Sequence, residues 1–64
     1  MLTDEFFGEG DYKGRKAIVF KDGDDYLVYM IQDATIVEER RITGHSKRYA
    51  EDCAENWVLG VING

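Results

Sequence analysis

"KAIVFKDGDDYLVYMIQDATIVEERRIT", residues 16–43, contains three β-branched and aromatic runs, 16–20, 26–32 and 35–43, separated by two short polar breaks. Asp22-Gly23 stands between the first two runs, and Asp-Gly in that position is the strongest short-range hairpin signal. Asp33-Ala34 separates the second run from the third, which ends at Gly44. The reading predicts a three-stranded antiparallel meander. Its second turn lacks glycine, so the register of the third strand is set less firmly than that of the first two.

The side chains of this meander carry an anomaly. With an even-numbered loop at Asp22-Gly23, Ala17 and Val19 share a face with Tyr26, Val28 and Met30, while Ile18 and Phe20 share the other with Leu27, Tyr29 and Ile31. A two-residue second turn adds Val37 to the first face and Ile36 and Ile42 to the second. Both faces are apolar, and a strand without a polar side belongs to a sheet covered on both sides.

One cover lies downstream, in "HSKRYAEDCAENWVLG", residues 45–60. Tyr49, Ala50, Cys53, Ala54, Trp57 and Val58 recur as adjacent pairs every four residues, which at 100° per residue makes one apolar stripe on a helix. Ser46 is a suitable N-cap, and Gly60 can take the left-handed conformation that ends a helix. Arg48, Glu51, Asp52 and Glu55 fall on the opposite, solvated side, where Arg48 can meet Asp52 at i,i+4. The expected architecture is α+β: a three-stranded antiparallel meander with one C-terminal helix packed on one face, in two layers. Residues 1–64 read as a single small domain, with an N-terminal arm at 1–14, the meander at 15–43 and the helix at 46–59. In the arm, Leu2, Phe6 and Phe7 surround a single helical turn capped by Thr3, which folds over part of the second face.

The same stretch holds the chain's single histidine, cysteine and tryptophan, a crowding that invites a catalytic reading. A Cys/His pair needs contact at roughly 3 Å, yet Cys53 lies eight residues beyond His45, about 12 Å along a helix axis. Within one chain they form no dyad. Cys53 sits in the apolar stripe, where a thiol behaves as a small hydrophobe, and is expected to be buried. His45 reads as a loop residue and Trp57 as the large anchor of the helix–sheet contact.

Other candidates carry as little chemistry. "DGDD" at 22–25 lacks the sixth-position glycine and the later glutamate of a calcium loop, and reads as a hairpin turn. "GEGDYKG" at 8–14 has no GK[ST] ending and reads as a flexible connection. "EERR" at 38–41 alternates its charges across the two strand faces, so Arg40, Arg41, Lys47 and Arg48 form at most a weak strip for phosphates. No catalytic, cofactor-binding or metal-ligating residue is assigned, and no cofactor is implied.

Thirteen acidic against eight basic residues give a net charge of −5, which opposes binding to nucleic acid or to an anionic membrane surface. The start MLTDEFF shows no targeting pattern, and no apolar run reaches the 18 residues of a membrane span. A cytoplasmic location, in a cell or an infected host, is the expectation. At 64 residues stability is marginal without a staple. One cysteine forms no intrachain disulfide, and one Cys with one His cannot supply four zinc ligands. Self-association remains, and a homo-oligomer, most simply a dimer, would cover the second face.

The tail "YAEDCAENWVLGVI" resembles the C-terminal ends of short, uncharacterised accessory proteins of marine bacteriophages, in which a helix of the A-E-D-x-A-x-N-W kind closes a small strand-rich chain. The resemblance spans about a quarter of the sequence and implies no activity, cofactor or catalytic residue, but favours a small modulator of a host protein. Two function classes follow. The first is a non-enzymatic interaction module, in one form an acidic one whose Asp22, Asp24, Asp25, Glu51, Asp52 and Glu55 face a basic partner surface. The second is a small-molecule or enzymatic site between subunits, where His45, Tyr29 or Glu38 meet across an interface.

Overall fold

The computed structural model describes residues 2–61; Met1, Asn63, Gly64 and Ile62, the last residue of the tail quoted above, lie outside the described residues. Strand β1 (Leu2–Phe7) leads through a 3-10 turn (Gly10–Tyr12) into β2 (Arg15–Asp22), β3 (Asp25–Gln32), β4 (Thr35–Ile42) and helix α1 (Lys47–Val58). The strands form one antiparallel sheet in the order β1-β2-β3-β4, and α1 lies over β2 and β3 and reaches β1. The fold is α+β in two layers, with four strands rather than three. No helix among the described residues is long and apolar enough to cross a membrane.

The fourth strand is the N-terminal arm, which pairs along β2 instead of forming a capped helical turn. A single turn of helix has too few hydrogen bonds to offset its nucleation cost, whereas β2 offers a free edge. Thr3 hydrogen-bonds accordingly: its Oγ1 donates to the Val19 carbonyl at 3.0 Å. The connection "GEGDYKG" is also more ordered than expected. Tyr12 of its 3-10 turn packs its ring on Gly60, where any Cβ would collide with the ring.

The first hairpin has the expected faces, with Ala17 opposite Met30, Val19 opposite Val28 and Ile18 opposite Tyr29. Its turn falls on Gly23-Asp24, and only Gly23 has positive φ, at 63°. That is the pattern of a type II′ turn. In the second turn Asp33 (φ 51°) and Ala34 (φ 68°) are both left-handed, the requirement of a type I′ turn, met here without glycine.

β4 corrects the expected register. Met30 pairs with Glu38 but Ile31 with Ile36, so Val37 is an extra residue in a bulge. Because side-chain direction alternates, one extra residue reverses the parity of everything after it. Ile36 stays on the second face, as expected; Ile42 moves to the first face, opposite Tyr26, and is buried. Val37 does not join the first face and is exposed.

The core lies between helix and sheet: Ala17, Val19, Val28, Met30 and Ile42 beneath, Ala50, Ala54, Trp57 and Val58 above, with Phe6, Tyr26 and Cys53 packed at its margin. Ser46 caps the helix, its Oγ accepting from the Tyr49 N–H at 3.3 Å. Gly60 (φ 77°) ends it, with Val61 N–H donating to the Asn56 carbonyl at 2.9 Å and Gly60 N–H to Trp57 at 3.1 Å. This is the paired bonding of a Schellman motif. Arg15 adds a clamp. Its guanidinium lies 4.7 Å from the ring centroids of both Tyr12 and Trp57, and its Nη1 donates to the Trp57 carbonyl at 2.7 Å. A cation is favoured at this end of the helix dipole.

Candidate functional site

The register places Asp22 and Asp25 on the uncovered face at its hairpin end, and twelve further side chains in three rows. The twelve are Phe7, Lys16, Ile31 and Ile36; then Glu5, Ile18, Tyr29 and Glu39; then Leu2, Phe20, Leu27 and Arg41. Ile18, Phe20, Leu27, Tyr29 and Ile31, all from the two inner strands, form the centre. They are half-buried only by one another and by their neighbours on the sheet. Phe20 and Tyr29 meet edge to face, centroids 5.5 Å apart, a favourable aromatic geometry. Leu2, Phe7 and Ile36 extend the apolar surface outward and are exposed by 45%, 62% and 57%.

Charges are confined to the outer parts of this face. Lys16 Nζ lies 3.3 Å from Glu5 and 5.5 Å above the Phe7 ring. Arg41 reaches the hairpin turn, donating to Asp22 at 2.9 Å and Asp25 at 2.8 Å. The bond to Asp22 first, and that to Asp25 next, hold its guanidinium more firmly protonated than usual. The "DGDD" carboxylates thus serve an arginine. Glu39 has no partner among the described residues. An apolar centre with a polar rim is the anatomy of a protein–protein contact. The Tyr29 hydroxyl is the one polar group among the five central side chains.

The helix side carries the remaining sequence candidates. Cys53 is half-buried rather than enclosed, because the helix leaves β4 largely uncovered and β4 presents Glu38 and Arg40 there. Arg40 contacts Glu38 and places Nη1 3.6 Å from Cys53 Sγ; the Glu38 bond is the main cause of its raised pKa. With Tyr49, Asp52 and Asn56 these two residues line an open groove of about 390 Å³. Tyr49, expected in the buried stripe, is half-exposed at the start of the helix, and His45 stacks on its ring, centroids 3.9 Å apart. His45 and Cys53 make no contact.

A second, smaller cleft of about 240 Å³ runs between β1 and α1, lined by Asp4, Phe6, Arg48, Glu51, Asp52 and Glu55. Lys47 Nζ lies 3.6 Å from both Asp4 and Glu51, yet Asp4 Oδ2 is buried without a hydrogen bond. A proton on Glu51 can be donated to Asp4. That bond, then burial, then the Asp4 charge hold the Glu51 carboxyl above the usual carboxylate range.

The basic strip dissolves in this geometry. Arg40 and Arg41 lie on opposite sheet faces, Lys47 is held by Asp4 and Glu51, and Arg48 is 3.9 Å from Asp52. No group of three or more His, Cys, Asp or Glu side chains among the described residues is arranged to hold a metal ion. Sequence reading placed the central apolar residues of the open face but missed Leu2 and Phe7 as members, since "LTDEFF" shows no clean alternation. No protein-family model, no curated protein and no solved structure matches this chain.

Proposed function

We propose that this chain is a small non-enzymatic interaction module whose binding surface is the uncovered sheet face. The observation that carries the reading is that face itself: five central apolar side chains, three more at its margins, and charges only around them. Exposed apolar patches of this contiguity mark interaction sites in soluble domains. The arrangement of the chemically active residues favours a non-catalytic role. Tyr29 lies on the open face, Glu38 on the helix side against Arg40, and His45 on the Tyr49 ring. Exposed Asp52 and Glu55, beside Glu51, give the module an acidic flank suited to a basic partner, in keeping with a modulator of a host protein.

The test is a comparative capture from source cells with tagged wild-type protein and Tyr29→Lys, after circular dichroism has established that both are folded. Proteins, or untagged copies of the chain, held by the wild type and lost with Tyr29→Lys are the expected result. Identical captures by both would remove the open face from the binding role.

A further inference from the structure

We infer that the occupant of the open face is a second copy of this chain, stacked sheet on sheet about a two-fold axis with the two helices outward. The inference rests on the reading of that face as a binding surface and names its partner. Size is the first argument. Four strands about 4.8 Å apart, three of eight residues and β1 of six, at about 3.4 Å per residue cover roughly 19 by up to 27 Å, or just under about 500 Å² per copy. Two copies bury about 1,000 Å², the area at which specific interfaces begin.

Shape is the second. A single partner helix, about 10 Å across, laid along the strands would cover half the width of this sheet and leave two strands wet. A four-stranded face matches another of the same kind, which packs about 10 Å away with its strands aligned or crossed. The two edges argue against the competing mode. β1 has a register shift between Leu2 and Asp4, and β4 is bulged at Val37; bulges at outer strands disfavour edge-to-edge pairing.

Charge is the third. A chain of net charge −5 repels its copy, so the contact that places acidic groups farthest apart is preferred. On the open face Lys16 offsets Glu5, Arg41 is shared by Asp22 and Asp25, and Glu39 on the outer strand has no partner among the described residues; all of these stand at the rim, where a stacked contact leaves them hydrated. With the helices outward, Glu51, Asp52 and Glu55 of the two copies lie on opposite sides of the assembly, well beyond the screening length of about 8 Å at physiological salt.

The experiment combines sedimentation of the full chain, at about 1 to 100 μM, with spin labels at Asp52→Cys in a Cys53→Ser background. Twice the chain mass and an inter-label distance of about 30 Å or more are expected, because helix, sheet, sheet and helix layers each add about 10 Å. Ile36→Asp, on the exposed margin of the face, should weaken the dimer at least tenfold, the effect of about one lost side-chain burial. Leu59→Lys, exposed but off the face, should leave it unchanged. Labels near 20 Å would mean edge pairing and would overturn the stacked arrangement. One-chain mass at every concentration would overturn the second copy. If Tyr29→Lys then still loses a captured partner, the binding face survives and only its occupant is wrong; if it loses none, both readings fall.

Discussion

The two faces of this sheet are drawn from the same residues of β2 and β3, taken alternately, and they differ in side-chain size more than in polarity. The helix side presents Ala17, Val19, Val28 and Met30, all fully buried, against Ala50 and Ala54. The other side presents Ile18, Phe20, Leu27, Tyr29 and Ile31, none of them enclosed. Small residues at the crossing let the helix backbone approach the sheet and reach interior packing density. A face of Phe, Tyr, Leu and Ile would hold a short helix off and leave voids beside it. Apolar alternation therefore identifies two buried or buriable faces, while bulk decides which of them a twelve-residue helix can seal.

The strongest way to break this contrast is Trp57→Ala. It removes the largest side chain of the covered face and the ring beneath Arg15, and should cost about 3 to 5 kcal/mol. That is most of the stability of a domain this small, so chemical denaturation should find the variant largely unfolded; a parent-like midpoint would refute the anchor. Next comes a matched pair at adjacent positions. Met30→Ala should cost about 2 to 5 kcal/mol at any protein concentration. Ile31→Ala, on the other face, should cost less in dilute solution and more as concentration rises, since association is linked to stability. Equal, concentration-independent losses would erase the distinction between the faces.

A smaller effect sharpens the register that assigns residues to faces. Ala34 holds φ 68° in the second turn, a strain of about 1 to 2 kcal/mol for an L-residue. Ala34→Gly should relieve it and, after the added freedom of the unfolded chain, raise stability by about 0.5 to 1 kcal/mol in a thermal melt. The smallest effect concerns the edge of the covered face, where Glu51 and Asp4 join α1 to β1. Glu51 has a raised folded-state pKa, so the folded protein binds its proton more tightly than the unfolded chain does. The associated stabilisation is present below the ordinary glutamate value and is lost as pH rises through the raised one. Glu51→Gln should flatten that loss in melts from about pH 4 to pH 7 and melt slightly higher at neutral pH; an unchanged slope would place the proton elsewhere.

Much of the architecture was legible because it is written in periods. Alternation fixed the faces of β2 and β3, and the paired apolar positions from Tyr49 to Val58 fixed the helix together with both its caps. Three features were not periodic. β1 carries Thr3, Asp4 and Glu5 among its apolar residues, so its strand character depends on the free edge of β2. The bulge hides in Ile36-Val37, two apolar neighbours that fit either face and give no sign of which is extra. The partial exposure of Cys53 depends on how far α1 reaches across the sheet, which helical spacing does not contain. The open face was legible as apolar, but its rim of charges required the register and the turn contacts of Arg41.

The Arg15 clamp also bears on how long the folded state lasts. Its contact with the Trp57 carbonyl joins residues 42 positions apart, whereas the two hairpins close through two-residue turns and can form within about 1 to 10 μs. The clamp joins β2, the 3-10 turn and the end of the helix, so it is expected to close after them, with low φ values for Arg15 and Tyr12 variants as the check. Loosening it through Tyr12 or Arg15 would leave the rate of folding nearly untouched and accelerate unfolding. On that expectation the clamp acts as a latch on the lifetime of the protein, to be read from the unfolding rate of Arg15→Ala.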